Sequence, residues 1–210
     1  MKIKICGLTG LVNIRDILDL NPDYIGFIFH PSSPRYMVDK ISPHDIFSIC
    51  SDTKKAGVFV NSGFHAISTI YLKYNLDIVQ LHGEESPQLC KQLKSSGIEI
   101  MKAFRMKAGF NFRSIADYIP YCRYFLFDTY ADVKGGSGKK FDWEIIANYD
   151  LGHPFFLSGG ITPYDAEEIF RIDHPSLVGV DLNSRFEDSP GIKNISKLKI
   201  FLNELRGQKI

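Results

Sequence analysis

The chain has 210 residues, of which 44% are hydrophobic and 23% are charged, and both fractions are close to the averages of globular proteins. This composition excludes intrinsic disorder and collagen-like or mucin-like repeats for the chain as a whole. The 25 Lys and Arg residues and 24 Asp and Glu residues give a net charge of +1, so the basic excess typical of a general nucleic-acid binder is absent.

The four cysteines stand far apart, at Cys6, Cys50, Cys90 and Cys122. They form no CxxC pair and no Cys/His cluster at the spacing of zinc ligands, so we expect reduced thiols and no metal site. The start, MKIKICGLTG, lacks the apolar run of a signal peptide, and no stretch approaches the ~18 apolar residues of a membrane span. We therefore expect one cytoplasmic domain over residues 1–210, with neither a membrane nor a nucleic acid as partner.

Strand-like runs alternate with helix-like segments through the first half of the chain. Runs rich in β-branched and aromatic residues and bounded by turn residues predict the strands. The elements predicted here are strand Lys2–Cys6, helix Leu11–Leu20, strand Tyr24–Phe29, helix Pro43–Ser51, strand Lys55–Val60, helix Ser62–Tyr74 and strand Asp77–Leu81. Ser86 and Pro87 then predict the N-cap and first residue of a helix, which Gly97 ends.

The second half continues the alternation with shorter helices. The elements predicted here are strand Glu99–Phe104, helix Phe112–Tyr118, strand Tyr124–Asp128, a helix from Asp142, strand Pro154–Leu157, a helix ending near Ile172, strand Leu177–Leu182 and helix Ile195–Leu205. Thr162 and Pro163 repeat the combination of cap and proline, and they predict the start of the helix after the seventh strand.

Eight predicted strands, each followed by a predicted helix, indicate a fold of the α/β class. Alternating strands and helices form parallel sheets, and eight such units predict a (β/α)8 TIM barrel. This fold typically has about 250 residues, so a barrel of 210 residues would be compact. The alternative is an open doubly wound sheet, but the segment after the first strand, CGLTG, lacks the GxGxxG fingerprint common in that fold.

In a (β/α)8 barrel the active site is formed by residues that follow the C-terminal ends of the strands. The candidates at these positions are Cys6, Arg35, His82, Arg105, Asp128 and Asp181. Each also has an ordinary structural interpretation. A single cysteine is often a small buried hydrophobe, an aspartate after a strand often forms a turn, and a histidine can be a hydrogen-bonded structural residue. Position alone leaves both interpretations open.

Two glycine-rich loops are candidates for phosphate binding. The loops after strands 7 and 8 of this fold commonly bind phosphate, and here the seventh strand is followed by SGGITP, with Gly159 and Gly160. Glycines let the backbone approach an anion closely, and a following helix start offers N–H groups. The loop after the sixth strand contains GGSGK, with Gly136 and Gly138, but it lacks the spacing of a nucleotide P-loop. Together the loops favour a small substrate with one phosphate group.

Seven segments, in order along nearly the whole chain, resemble those of the phosphoribosylanthranilate isomerase family. They are KICGLT (4–9), GFIFHPSSPRY (26–36), VQLHGEE (79–85), KAFR (102–105), FDTY with GGSGKKFDW (127–143), LSGGITP (157–163) and GVDLNSRFEDSPG (179–191). The resemblance implies a barrel without a cofactor that acts in tryptophan biosynthesis, as a monomer or a homodimer. The implied reaction is the Amadori rearrangement of N-(5'-phosphoribosyl)anthranilate to 1-(2-carboxyphenylamino)-1-deoxyribulose 5-phosphate.

The resemblance also implies roles for individual residues. Cys6 is the expected general base and Asp128 the expected general acid. Arg35 is expected to bind the anthranilate carboxylate, and Asp181 is expected near the anthranilate amino group. The remaining candidate contacts are His82 for the substrate and Gly136, Gly138, Gly159, Gly160, Asn183 and Ser184 for its phosphate. A free cysteine has a pKa of ~8.5, so Cys6 would benefit from nearby positive charge; Lys4 is expected to point into the barrel.

One position departs from the family pattern, since Arg185 stands where the family often has Gly or Ala after the serine of the strand-8 segment. The side chain either points outward or adds a cation near the phosphate. The polar, glycine-rich segment TYADVKGGSGKK is expected to be mobile and to close over the substrate. The alternative function is a catalytically silent phosphosugar-binding barrel, although a binder needs neither Cys6 nor Asp128.

Overall fold

Eight parallel strands close into a barrel in the computed structural model, which describes residues 1–49, 52–129 and 143–207. Each strand pairs with the next along the chain, and the eighth pairs with the first. The strands are β1 (Lys2–Ile5), β2 (Tyr24–Ile28), β3 (Lys54–Phe59), β4 (Ile78–Leu81), β5 (Ile100–Met106), β6 (Tyr124–Thr129), β7 (Phe155–Ser158) and β8 (Leu177–Leu182). The predicted (β/α)8 barrel is confirmed.

The helices lie outside the barrel, and all but the last connect consecutive strands. The α-helices are α1 (Leu11–Leu18), α2 (Pro43–Phe47), α3 (Phe64–Lys73), α4 (Pro87–Ser95), α5 (Ala166–Phe170) and α6 (Ile195–Leu205). Short 3-10 helices, Phe112–Tyr118 and Trp143–Asn148, follow β5 and β6 instead. The signals at α4 are confirmed, because Ser86 Oγ accepts a hydrogen bond from the Leu89 amide at 3.3 Å and Gly97 follows with a positive φ of 80°.

The helix after β7 begins later than the sequence indicates. It starts at Ala166, and the residue at its N-cap position is Asp165 rather than Thr162. Asp165 Oδ2 accepts a hydrogen bond from the Thr162 amide at 2.8 Å, which closes a separate turn before the helix. The predicted cap at Thr162 and Pro163 is therefore wrong, because residues that form this turn resemble the first turn of a helix.

A short hairpin that the sequence did not indicate follows β8. A 3-10 turn, Ser184–Phe186, leads into the antiparallel strands β9 (Glu187–Ser189) and β10 (Ile192–Lys193). Gly191 turns the hairpin with a φ of 94°, and a Cβ there would lie 2.0 Å from Thr9 Oγ1. The Thr9 amide also donates to the Gly191 carbonyl at 3.1 Å, so the hairpin is held against the chain that leaves β1.

The barrel interior changes from apolar to polar toward the C-terminal ends of the strands. At its apolar level, the Phe156 ring makes edge contacts with Tyr24 and Tyr124, with centroids 5.9 and 5.2 Å apart. Among the fully buried polar side chains are Lys4 and Gln80, which have exposures of 0% and 1%. The aromatic residues therefore fill one level of the barrel, and the polar groups collect at the end where the candidate site residues lie. None of the helices in the described residues is long and apolar enough to cross a bilayer.

Candidate active site

A cleft of about 250 Å³ opens at the C-terminal ends of the strands. All the candidate site residues in the described part of the chain except Arg105 line it, namely Cys6, Arg35, His82, Asp128, Gly159, Gly160, Asp181, Asn183 and Ser184. The candidates Gly136 and Gly138 lie outside the described residues, as does the loop TYADVKGGSGKK that was expected to close over a substrate, except for its first residue, Thr129. The exposed Arg105 borders a neighbouring cleft that shares only His82 with this one.

Cys6 follows β1 and lies beside two buried charges. The two-residue period of a strand places Cys6 and Lys4 on the same face, and both side chains are buried. Lys4 Nζ donates to Asp181 Oδ1 of β8 at 2.9 Å and also contacts the Cys6 thiol. On the other side, a Cβ at Gly26 would lie 2.7 Å from Cys6 Sγ. The expectation that Lys4 points into the barrel is confirmed.

The protonation of these three groups follows from burial and from their mutual charge. Burial raises the pKa of the Cys6 thiol, and the Lys4 ammonium opposes this shift. Burial lowers the pKa of Lys4, but Asp181 and Cys6 raise it by more, so Lys4 stays charged. Burial also raises the pKa of Asp181, and Lys4 acts against that shift. The resting site therefore holds a protonated thiol near pH 7 next to a lysine–aspartate ion pair.

Asp128 lies near the end of β6 and belongs to a chain of hydrogen bonds. Asp128 Oδ2 is 3.0 Å from His82 Nε2, and His82 Nδ1 is 3.0 Å from Gln80 Nε2. An amide nitrogen can only donate, so in this arrangement Nδ1 accepts, and Nε2 carries the proton that it donates to Asp128. Gln80 Oε1 is buried and has no hydrogen-bond partner among the described residues. The sequence identified His82 and Asp128 but not Gln80.

Arg35, in the loop after β2, makes a two-pronged ion pair with Glu187 of the hairpin. Its Nε and Nη2 donate to Glu187 Oε1 and Oε2 at 2.8 and 2.6 Å. The buried Lys193 donates to Glu187 Oε1 and to Asn183 Oδ1, both at 2.7 Å. The sequence reasoning missed Glu187 and Lys193. The sequence signal that could have identified them is that both are charged residues in the segment after Asn183 and Ser184.

The loop after β7 has the backbone form that its glycines permit. Gly159 and Gly160 have φ values of 91° and 68°, which residues with a side chain rarely adopt. Both line the cleft together with Asn183 and Ser184, which follow the neighbouring strand β8. The Arg185 side chain is exposed and does not line the cleft, so of its two expected orientations the structure has the outward one.

The described residues contain no group of three His, Cys, Asp or Glu side chains placed to hold a metal ion. The ionisable side chains that line the cleft are a thiol, two carboxyl groups, an imidazole and a guanidinium group, namely those of Cys6, Asp128, Asp181, His82 and Arg35. A proton donor and a proton acceptor on opposite sides of one cleft suit general acid–base catalysis.

Comparison with known proteins gives a consistent result. The family model described as "N-(5'phosphoribosyl)anthranilate (PRA) isomerase" matches residues 3–204. The chain is 42% identical over 208 residues to the N-(5'-phosphoribosyl)anthranilate isomerase of Parabacteroides distasonis, an alignment that covers 98% of this chain and 93% of that protein.

Solved structures agree over the whole chain. The crystal structure of phosphoribosyl anthranilate isomerase from Thermotoga maritima matches with a TM-score of 0.85 and 32% identity, over 99% of both chains. A phosphoribosyl anthranilate isomerase in complex with reduced 1-(o-carboxyphenylamino)-1-deoxyribulose 5-phosphate matches with a TM-score of 0.82 and 29% identity, again over 99% of both chains.

Proposed function

This chain belongs to the N-(5'-phosphoribosyl)anthranilate isomerase family, and we propose that Cys6 and Asp128 act as the general base and general acid of its reaction. The chain is an isomerase of tryptophan biosynthesis that interconverts an aldose and a ketose. One observation carries the proposed roles. A thiol after β1 and a carboxyl group near the end of β6 line the same small cleft, each with its own charged or polar partner.

The charges around the cleft suggest how the substrate lies. Its anthranilate carboxylate would meet Arg35, and its amino group would lie near Asp181, which Lys4 holds in place. Its phosphate would occupy the region between Gly159 and Gly160 on one side and Asn183 and Ser184 on the other, where the backbone can approach an anion closely. The contacts of Gly136 and Gly138 with that phosphate stay a prediction.

Opening of the furanose ring is the first chemical step. Asp128 first takes up a proton by way of His82 and then, as a carboxylic acid, gives it to the ring oxygen, and the bond between that oxygen and C1 breaks. The lone pair of the anthranilate nitrogen forms the new double bond to C1, which leaves a positively charged iminium group. His82 Nε2, 3.0 Å from Asp128 Oδ2, is placed to return a proton to the carboxylate afterwards.

Removal of the C2 proton is the second step. Cys6, as a thiolate, takes this proton; the C–H electron pair becomes the C1=C2 bond, and the pair of the C1=N bond returns to nitrogen. The enolamine then gives up its hydroxyl proton and gains one at C1, which produces the ketone. The iminium charge beside Cys6 adds to that of Lys4, and together they favour loss of the thiol proton to water before the transfer.

The test of these roles is turnover of freshly prepared N-(5'-phosphoribosyl)anthranilate, followed by the change of its anthranilate fluorescence. Cys6→Ala and Asp128→Asn should each lower kcat by at least about 100-fold, because a positioned acid or base commonly contributes that much. Cys122→Ala, which removes another buried thiol away from the cleft, is the matched control and should retain full turnover. Near-normal kcat in Cys6→Ala or Asp128→Asn would exclude the assigned role.

A silent phosphosugar-binding barrel is distinguished in the same experiment. Such a protein would bind reduced 1-(o-carboxyphenylamino)-1-deoxyribulose 5-phosphate but would leave the substrate to its spontaneous breakdown.

We also propose that residues 1–210 form one catalytic domain, located in the cytoplasm, where amino-acid precursors are made. Whether the chain is a monomer or a homodimer is tested by light scattering after gel filtration.

A further inference from the structure

We propose that Glu187 is a positioning residue that orients Arg35 for the carboxylate of the substrate. The inference rests on the proposed function, because it assigns the cause of one substrate contact in that site. Glu187 itself does not line the cleft, so it would act only through the guanidinium group. Arg35 lies between the buried carboxylate and the cavity, with contacts to both.

The two-pronged pair fixes the plane of the guanidinium group. Arg35 uses Nε and one N–H of Nη2 for Glu187, at 2.8 and 2.6 Å, which is the parallel arrangement of a bidentate ion pair. A guanidinium group has five N–H bonds, so three remain. These three are the second N–H of Nη2 and both N–H bonds of Nη1, and among the described residues they have no further side-chain acceptor.

Glu187 is itself held from several directions. Its Oε1 accepts from Arg35 Nε at 2.8 Å, from Lys193 Nζ at 2.7 Å and from the Gly191 amide at 3.1 Å. Its side chain is 6% exposed and that of Lys193 is 0% exposed. A carboxylate with this many fixed donors cannot move without breaking several charge-assisted bonds, so it is a rigid support for Arg35.

The cluster of Arg35, Glu187 and Lys193 has the net charge needed to bind one anion. Arg35 and Lys193 carry one positive charge each in their ion pairs with Glu187, at 2.6 and 2.7 Å. Burial lowers the pKa of Lys193, and Glu187 acts against that shift. Arg35 and Lys193 in turn hold the pKa of Glu187 below its usual value against the effect of burial. The three groups therefore have a net charge of +1 beside the cleft. One carboxylate from a ligand would neutralise this net charge.

Gly7 leaves space for the Arg35 side chain in this position, since a Cβ at Gly7 would lie 2.7 Å from Arg35 Cδ.

The experiment compares two ligands on several variants. The first ligand is reduced 1-(o-carboxyphenylamino)-1-deoxyribulose 5-phosphate, and the second is the same compound without the carboxyl group. Dissociation constants are measured for the wild type, Glu187→Gln and Glu187→Asp. The glutamine has nearly the same shape without the charge, and the aspartate keeps the charge that Lys193 needs but withdraws it from Arg35. Asp188→Asn removes a charge from the exposed neighbouring position of the same hairpin and is the control.

We expect Glu187→Gln to weaken binding of the carboxylated ligand about tenfold, as loss of one oriented charge-assisted contact would, and to change binding of the other ligand less than twofold. KM should rise by a similar factor while kcat stays within about threefold, because the contact is present before and during the reaction. Glu187→Asp should show the same selectivity at a smaller magnitude, and Asp188→Asn should match the wild type.

The outcomes separate this inference from the proposed function. If the wild type neither binds the carboxylated ligand nor turns over the substrate, the proposed function fails. If the wild type does both but Glu187→Gln weakens both ligands equally, Glu187 has a general structural role and the positioning role is wrong. Unchanged or tighter binding of the carboxylated ligand by both Glu187 variants would overturn the inference as well. Because Glu187→Asp keeps the charge next to Lys193, it covers the case in which Glu187→Gln does not fold.

Discussion

His82 Nε2 lies 3.0 Å from Asp128 Oδ2, so the histidine and the proposed acid share one hydrogen bond. In the observed arrangement the Gln80 amide nitrogen donates to His82 Nδ1, and His82 then donates to the Asp128 carboxylate. If the Gln80 amide turns over, its oxygen accepts from Nδ1–H, and His82 Nε2 accepts from a protonated Asp128. This second arrangement holds one proton more than the first: His82 takes a proton from water at Nδ1 and passes the proton of Nε2 to Asp128.

Replacement of His82 tests this proton path. His82→Ala and His82→Gln should both lower kcat about 10- to 100-fold, within the range of general acid–base contributions, with KM changed less than about threefold. The glutamine can still donate a hydrogen bond to Asp128 but cannot pass a proton on. Recovery of kcat in His82→Gln would show that the histidine only orients Asp128. Steady-state kinetics across pH, with substrate near saturation, measures both parameters.

Lys4 should control the pH at which Cys6 becomes active. Burial raises the pKa of Cys6 and the Lys4 ammonium opposes that shift, so removal of the ammonium should raise the pKa further. Lys4→Met combined with Asp181→Asn removes both members of the buried ion pair, which avoids leaving one charge unpaired. Asp181 itself raises the pKa of Cys6, but by less than Lys4 lowers it, so in this double variant the rise of kcat with pH should still move to higher pH and kcat at pH 7 should fall at least about tenfold. An unchanged pH profile would contradict the role of Lys4.

The space beside Cys6 should be as important as its charge. A Cβ at Gly26 would lie 2.7 Å from Cys6 Sγ, closer than real contacts allow, and 3.1 Å from Cys6 Cα, which is tighter than most. Gly26→Ala should therefore displace the thiol, lower kcat at least about tenfold and destabilise the fold by about 1–3 kcal/mol. Gly63→Ala is the matched control, since a Cβ there meets nothing within 4 Å. Turnover and urea unfolding of both variants provide the measurement. Equal behaviour of the two variants would mean that Cys6 tolerates the shift.

The sequence predicted the barrel and most of the cleft for a physical reason. Parallel strands bring their C-terminal ends to one edge, so Cys6 after β1 and Asp128 near the end of β6 converge although they are far apart in the chain. The two-residue period of a strand placed Lys4 on the same face as Cys6. The roles of these residues came from the family resemblance, because position alone does not distinguish a catalytic thiol from a buried one.

The partner of Arg35 could not be predicted in the same way. Glu187 lies 152 residues away in the chain, on a hairpin whose strands have three and two residues. Strands this short show no measurable period, and their register is fixed by contacts with the chain that follows β1, such as the hydrogen bond between Thr9 and Gly191. The predicted start of α5 was wrong for a related reason. Asp165 forms a local hydrogen bond with the Thr162 amide, and this bond competes with an earlier start of the helix.

The ion pairs of Glu187 should make stability depend on acidity. They hold the pKa of Glu187 below its ordinary value of 4.5 despite burial, so the folded state binds a proton less readily than the unfolded state. The stability that this carboxylate provides is therefore fully present above about pH 4.5 and is lost as the pH falls below it. Glu187→Gln, which lacks the titrating group, should be less stable than the wild type by about 3 kcal/mol at pH 7. That difference should stay constant down to about pH 5 and shrink below pH 4.5, as measured by urea unfolding at each pH. The Asp188→Asn control should show no such dependence, and a difference that persists unchanged at pH 3 would mean that the Glu187 charge does not stabilise the fold.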